Sequence, residues 1–281
     1  MLIPRVAAIH DLSGFGRCSL TVAIPVLSAM GVQCCPLPTA FLSTHTGGFE
    51  GYTFLDLTDE MEKAAAHWKG LGLEFQAVYS GFLGSERQIA LVEKFLRDFR
   101  REDTVVVVDP VMGDEGEVYR TYTPAMCRGM KRLAREADVI TPNLTEAALL
   151  LDLPYETMPA DEEGLRRVVE ELSLEGKRSV VLTGFSTAPG STGALCFDAA
   201  TGELESIQAP RVEREFCGTG DVFASVLTGA LVQGASLGEA ARRSVDFVLE
   251  CARLTAANGR PMREGVDFEP LLGLLTGGRH A

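Results

Sequence analysis

Short runs of consecutive apolar residues alternate along this chain with longer segments in which apolar residues recur every three or four positions. Runs of the first kind predict strands buried on both faces, and segments of the second kind predict the helices that cover them. Val6-Ala-Ala-Ile9 is the first such strand, closed by the polar pair His10-Asp11, and Gly14 and Gly16 then open a helix to about Met30. Further strands are predicted at residues 33–37, 76–80, 104–109, 138–141 and 179–183. Helices are predicted from about Thr58, over 85–100, over 123–135, and once more before residue 179. Strands that alternate with helices imply right-handed crossovers, hence an α/β fold with a mainly parallel sheet. Residues 194–198 and 204–209, separated by Ala-Ala-Thr-Gly-Glu, read instead as an antiparallel hairpin, and from Phe216 the pattern is wholly helical. No internal repeat, low-complexity tract or linker-like shift divides the chain, so one domain over residues 1–281 is expected.

Composition narrows the function classes. The 281 residues are 46% hydrophobic and 23% charged, and 39 acidic against 26 basic residues leave a net charge of −13. Such a chain gains no counterion-release energy from a phosphate backbone, which argues against nucleic acid as a partner. The same charge disfavours anionic membranes, and no apolar run reaches the roughly 18–20 residues that a transmembrane helix needs. The start, Met1-Leu-Ile-Pro-Arg5, reads as the lead-in to a strand and not as a charged leader. Seven scattered cysteines, with only Cys34 and Cys35 adjacent, fit neither zinc spacing nor a disulfide framework. They read as reduced thiols, mostly buried and inert. A cytoplasmic, water-soluble enzyme is the expectation.

Polar residues gather where strands end: His10-Asp11, Ser80-Gly81, Asp109-Pro110, Thr141-Pro-Asn143 and Thr183-Gly184. In open α/β sheets ligands bind outside those ends, so these exits suggest one composite site. Part of the regularity is topological, because every strand needs a polar exit.

Cys217-Gly-Thr-Gly-Asp221 is the sharpest segment. Two glycines bracketing a threonine before a helical run let backbone N–H groups point out of a helix N-terminus, which makes an anion cradle. Asp221 falls in the first helical turn, where a carboxylate can take a proton from a hydroxyl while the amides of Gly218, Thr219 and Gly220 hold a transferred phosphoryl group. The plainer alternative is a turn in which Thr219 or Asp221 caps the helix. Asp109-Pro-Val-Met-Gly-Asp114 carries two carboxylates on one strand-exit loop, which suits Mg²⁺ shared with phosphates; its alternative is a turn held by Asp109. Thr141-Pro-Asn-Leu-Thr-Glu146 starts another helix, with Asn143 or Thr145 as a simple cap and Glu146 as a residue behind a Mg²⁺ site. Together the three motifs suggest phosphoryl transfer.

Other chemistries fit less well. Gly14-x-Gly16-x-x-Ser19 is a broken dinucleotide fingerprint, its third glycine replaced and no acidic residue ending the second strand. No P-loop is present, Gly184-Phe-Ser186-Thr-Ala188 lacks the last glycine of a nucleophile elbow, and His10, His45, His67 and His280 lack metal-ligand spacing. His67 is expected on an exposed helix face.

These motifs, in order and spacing over almost the whole chain, resemble the ribokinase superfamily of ATP-dependent small-molecule kinases. Ser43-Thr-His45-Thr46-Gly47 and Ser80-Gly-Phe82-Leu-Gly-Ser85 resemble its pyridoxal kinase branch. The resemblance implies a three-layer α/β/α sandwich, often a homodimer, that uses ATP and Mg²⁺, with a monovalent cation as a further candidate. It implies phosphorylation of the vitamin B6 5′-hydroxyl, with Asp221 as catalytic base and Gly218, Thr219 and Gly220 as anion hole. By the same resemblance Asp109, Asn143, Glu146, Thr183, Gly218 and Gly220 surround ATP, Asp114 and Glu146 the metal, and Asp11, Thr46, Gly47, Phe82 and Asp221 the vitamer.

Two departures bear on the vitamer. Asp11 stands where better-known members carry serine, and Phe82 where many carry tyrosine. A carboxylate only accepts hydrogen bonds, so Asp11 would favour a donor on the ring or the ammonium of pyridoxamine, and pyridoxamine or pyridoxine over pyridoxal. The nearest rival is hydroxymethylpyrimidine kinase, whose flat ring also carries a hydroxymethyl group. A rival of another class is a non-catalytic vitamin-binding protein on the kinase fold, which has no need of Asp221. Residues 44–57, with Gly47, Gly48 and Gly51 among Phe49, Tyr52 and Phe54, suggest a flap over the substrate, and residues 184–193 one over ATP. Cys217 is expected to be a packing residue.

Overall fold

Four consecutive valines form β5 (Val105–Val108), paired in parallel with β4 (Ala77–Ser80) on one side and β8 (Val139–Ile140) on the other. The computed structural model describes residues 3–186, 188–214 and 216–276. Among them, nine strands make one sheet that continues past β4 through β1 (Arg5–Ser13), β2 (Gln33–Leu42) and β3 (Phe54–Asp56). Past β8 it continues through β9 (Ser179–Phe185), β10 (Ser191–Phe197) and β11 (Leu204–Pro210). The strands from β2 to β9 across the sheet are parallel; β3 and the hairpin β10–β11 supply the antiparallel pairs at the two edges.

One face of the sheet buries α1 (Leu20–Ala29), α7 (Thr219–Val232) and α8 (Leu237–Ala257). The other buries α2 (Thr58–Gly70), α3 (Glu86–Phe99), α4 (Pro124–Arg135), α5 (Leu144–Leu151) and α6 (Glu162–Leu172). The result is the expected three-layer α/β/α arrangement. α3 shows why such helices form: Ser85 caps it by accepting the Gln88 N–H, and Ile89, Val92, Phe95, Leu96 and Phe99 lie on one buried stripe. Burying each of those side chains stabilises the fold by roughly 1.5–3 kcal/mol. α7 is different, with every residue from Val222 to Ala230 buried, because α1, α8 and the sheet enclose it.

Several boundaries differ from the sequence pattern. β1 does not stop at Ile9 but runs to Ser13, pairing Leu12 with Phe41 and Ser13 with Leu42 beyond an irregularity after His10. Backbone pairing is indifferent to polar side chains, so a polar residue does not by itself end a strand. Residues 54–56 of the expected flap pair with Ala40–Leu42 as an edge strand. Residues 184–193 belong largely to the β9–β10 hairpin, and Thr187 within them lies outside the described residues, as does His280. The chain after α8 turns into two 3₁₀ segments, Met262–Glu264 and Glu269–Leu275, in place of a continuous helix. A small hairpin of β6 (Gly113–Asp114) and β7 (Glu117–Val118) was not legible in the pattern. Sheet order reverses at β1, which lies between β2 and β4, and that switch point opens the crevice in which such folds bind ligands.

Candidate active site

α7 begins beside that crevice with Gly218, whose φ of 76° is left-handed and whose added Cβ would lie 2.0 Å from the Arg17 carbonyl. Only glycine fits both demands. No side chain caps this helix. The Thr219 hydroxyl donates to the Phe216 carbonyl at 3.4 Å, so neither it nor Asp221 performs the plain capping role. α3, α4, α5, α6 and α8 are all capped by Ser, Thr, Asn or Asp side chains, whereas the first N–H groups of α7 stay available to an anion. Gly220 is exposed, with open space where a Cβ would stand.

Asp221 lies in the first turn of α7, and burial pushes its pKa up to about 8. The Ser19 backbone N–H opposes that rise, while the charges of Asp109 and Asp11 add to it. Asp11 is buried, and its two oxygens accept the hydroxyls of Ser19 at 2.6 Å and Ser13 at 2.8 Å. Burial raises the Asp11 pKa, and both serine hydrogen bonds hold it down. These two hydrogen bonds use one acceptor site on each oxygen, so the carboxylate keeps capacity for a further donor. Ser19 has φ 50° and ψ −128°, a backbone that costs a non-glycine residue on the order of 1–3 kcal/mol.

The loop from Asp109 to Asp114 is held from α5. Glu146 is buried and accepts the Met112 N–H at 3.0 Å on one oxygen and the Asn143 N–H at 3.0 Å on the other. Asn143 accepts the Glu146 N–H in return, a capping box, and donates to the Gly113 carbonyl at 2.9 Å. Both residues therefore clamp the loop, which explains how Val111 persists at φ 42°. Burial raises the Glu146 pKa to about 7, and burial together with Glu146 holds Asp109 well above the usual carboxylate range. Asp109 accepts the Thr141 hydroxyl at 3.1 Å, Asp114 is exposed, and Thr183 pairs with the Pro142 carbonyl inside β9.

On the substrate side Thr46 and Gly47 are exposed, and Phe82 is half-buried, edge-on to Tyr122 at 6.4 Å. His45 accepts the Gly47 N–H at 3.1 Å on Nδ1, and its Nε2 lies 2.6 Å from the Arg263 carbonyl. Gly16 leaves room for that ring, since a Cβ there would lie 2.4 Å from it. Phe49 packs edge-on against Phe15 and His45, with the Arg263 guanidinium 5.0 Å above its ring. The 44–52 segment is thus seated on the β1–α1 loop and on the chain after α8. His10 is fully buried against Tyr79 and does not line the site, contrary to the pattern of strand exits; burial lowers its pKa to about 3.

Residues 22–264 match the family described as phosphomethylpyrimidine kinase. The chain belongs to that family. A Bacteroides thetaiotaomicron protein described as a phosphomethylpyrimidine kinase is 43% identical, with a TM-score of 0.94 and coverage of 100% of this chain and 96% of that one. An orthorhombic crystal form of it, described as containing pyridoxal, aligns at 44% identity, with a TM-score of 0.92, covering 98% and 96%. Pyridoxal kinase of Lactobacillus plantarum is 31% identical, TM-score 0.89, covering 98% and 97%. A pyridoxine/pyridoxal/pyridoxamine kinase of Bordetella avium is 28% identical over 90% of this chain and 87% of its own length, whereas the match to a Caenorhabditis elegans relative spans 46% of that protein. Hydroxymethylpyrimidine/phosphomethylpyrimidine kinase of Haemophilus influenzae is 30% identical over 68% and 67%.

The chain is an ATP-dependent kinase acting on a hydroxyl group, in the ribokinase-like branch that holds pyridoxal and hydroxymethylpyrimidine kinases. Among the described residues of the kinase, no helix is long and apolar enough to cross a membrane. All seven cysteines are free thiols, three buried and four half-buried. Burial, then Asp114, pushes the Cys217 thiol up, which removes the activation that redox chemistry would need. His67 is exposed on α2, as its pattern predicts. Sequence reasoning passed over Ser19 and Arg263. The first did leave a signal, because it occupies the place of the missing third glycine of the broken fingerprint.

Proposed function

We propose that this kinase, as one domain over residues 1–281, transfers the ATP γ-phosphoryl group to the 5′-hydroxymethyl group of pyridoxal, pyridoxine and pyridoxamine in the salvage of pyridoxal 5′-phosphate. The observation that carries the transfer is a half-buried carboxylate, Asp221, in the first turn of a helix whose N–H groups have no side-chain cap. The vitamer reading is supported by the pyridoxal held in the 44%-identical Bacteroides protein. In this reading Asp221 takes the hydroxyl proton, and the amides from Gly218 to Gly220 hold the charge on the phosphoryl oxygens. Thr46, Gly47 and Phe82 line the ring, and Asp109, Asn143 and Thr183 lie toward ATP.

Mg²⁺ fits as an ion shared with ATP. It needs one or two carboxylates besides phosphate oxygens and water, and Asp114 is exposed on the loop that Glu146 clamps. Bound with ATP, it would neutralise phosphate charge. Among the described residues no three ligating side chains form a cage of their own.

The second reading is hydroxymethylpyrimidine kinase, favoured by the family description and the Haemophilus relative. Purified protein given ATP, Mg²⁺ and each of pyridoxal, pyridoxine, pyridoxamine and hydroxymethylpyrimidine separates the two by product mass and initial rate. We expect turnover of the B6 vitamers, and their relative rates test the preference for pyridoxamine or pyridoxine over pyridoxal that a ring-binding Asp11 would give. Turnover of the pyrimidine alone would keep the mechanism and overturn the substrate. A vitamin-binding protein would bind a vitamer and show no turnover. Size-exclusion with light scattering checks the proposed homodimer.

A further inference from the structure

We propose that Asp11 and Ser19 are positioning residues for Asp221: Asp11 holds the Ser19 hydroxyl, and the turned Ser19 backbone aims its N–H at the Asp221 carboxylate. The proposal rests on the reading of Asp221 as the base.

Three observations converge on Ser19. Its φ of 50° is one that glycine adopts freely and serine does not, in a position where a dinucleotide fingerprint would carry glycine. A serine there has a physical reason only if its side chain is used, and its Oγ, buried, donates to Asp11 Oδ1 at 2.6 Å. Asp11 is itself fixed from behind by the Ser13 hydroxyl on Oδ2 at 2.8 Å. Meanwhile the Ser19 carbonyl accepts the Val22 and Ala23 N–H groups at 3.1 and 2.9 Å, which starts α1 and locks one side of the residue. As the residue before α1, Ser19 keeps its own N–H outside the helix. The Gly218 turn sets the start of α7 against the Arg17 carbonyl and Cys18 Cα just before it, and that N–H opposes the rise in the Asp221 pKa. The chain Ser13–Asp11–Ser19–Asp221 joins β1, the start of α1 and the start of α7. The base is thus oriented from outside its own helix, while the α7 amides stay available to phosphate. The other titratable groups facing Asp221 are Asp109 at the end of β5, Cys18 before α1, Tyr79 on β4 and Tyr119 after β7.

The test is steady-state kinetics of the full chain with ATP and the best vitamer, across pH, for Ser19→Ala, Ser19→Gly and Asp11→Asn. Misplacing a base by a fraction of its reach is expected to lower kcat about 10–100-fold in S19A and D11N, with the vitamer KM changed less than about 3-fold. Weakening the N–H contact that favours the charged carboxylate raises its pKa, so the rising limb of kcat/KM moves to higher pH in S19A, which leaves every charge in place. In D11N the loss of the Asp11 charge, a charge that raises the Asp221 pKa, works the other way. S19G adopts the backbone without strain and is expected to keep more activity than S19A. A vitamer KM that rises in D11N while kcat and the pH profile stay put would overturn the proposal and make Asp11 a ring ligand. So would wild-type behaviour of S19A, or S19G falling below it. Full activity in Asp221→Asn would instead sink the base assignment itself.

Discussion

Replacing Asp221 by asparagine is expected to lower kcat by about 10²–10⁴-fold, the range removed with a positioned general base. The amide keeps the shape of the side chain and its place in the first turn of α7, so ATP and vitamer binding should survive. The wild-type rate carries a second signature. With the carboxyl pKa raised to about 8, chiefly by burial, much of the free enzyme is protonated at neutral pH. kcat/KM should therefore climb through pH 7–9 in the wild type and be flat, as well as low, in the mutant. A mutant with near-normal kcat would mean that another group accepts the proton.

The same substitution should stabilise the fold. A carboxyl whose pKa is raised on folding binds its proton more tightly in the native state. Its contribution is fully present below the unfolded pKa, near 3.8, and is lost as pH rises through about 8. Asparagine has no charge to desolvate and keeps that contribution at every pH. D221N is therefore expected to be more stable than wild type by on the order of 1–3 kcal/mol at pH 8, a gain that shrinks toward pH 4. Thermal melts of both proteins at several pH values check it; a gain that grew on acidification would contradict the sign.

Gly218→Ala carries the second large effect. The new methyl meets the Arg17 carbonyl at 2.0 Å on a backbone at φ 76°, so α7 must shift at the turn that aims its first N–H groups. Losing one such donor typically costs about 10²–10³ in kcat. Gly220→Ala is the matched control: its Cβ enters open space, and alanine is favoured over glycine inside a helix by about 0.8–1 kcal/mol. It should melt no lower than wild type and lose less than about tenfold in kcat, since a backbone N–H is unaltered by a methyl group. Equal losses in the two variants would show that bulk near the cradle, and not the left-handed turn, sets the rate.

How much of this was legible in the sequence depends on the range of the interactions. The valine run 105–108, the stripe of α3, the hairpin at β10–β11 and the helix start at Cys217-Gly-Thr-Gly-Asp221 are local patterns, because burial and backbone geometry over a few residues dictate them. The motif order likewise led to a ribokinase-like fold. The tertiary structure decided what each polar residue does. Asn143 and Glu146 became a clamp on Met112 and Gly113 because α5 packs beside that loop, 30 to 34 residues away in sequence. Asp11 became the partner of two serines because β1 continues past His10, and His10 went into the core. Ser19 could be noticed as an absent glycine, but its link to Asp221 joins residues from opposite ends of the chain. The chain's own pattern settles which segments are buried; only packing settles which carboxylates are tied up by neighbours and which is left at the uncapped helix start.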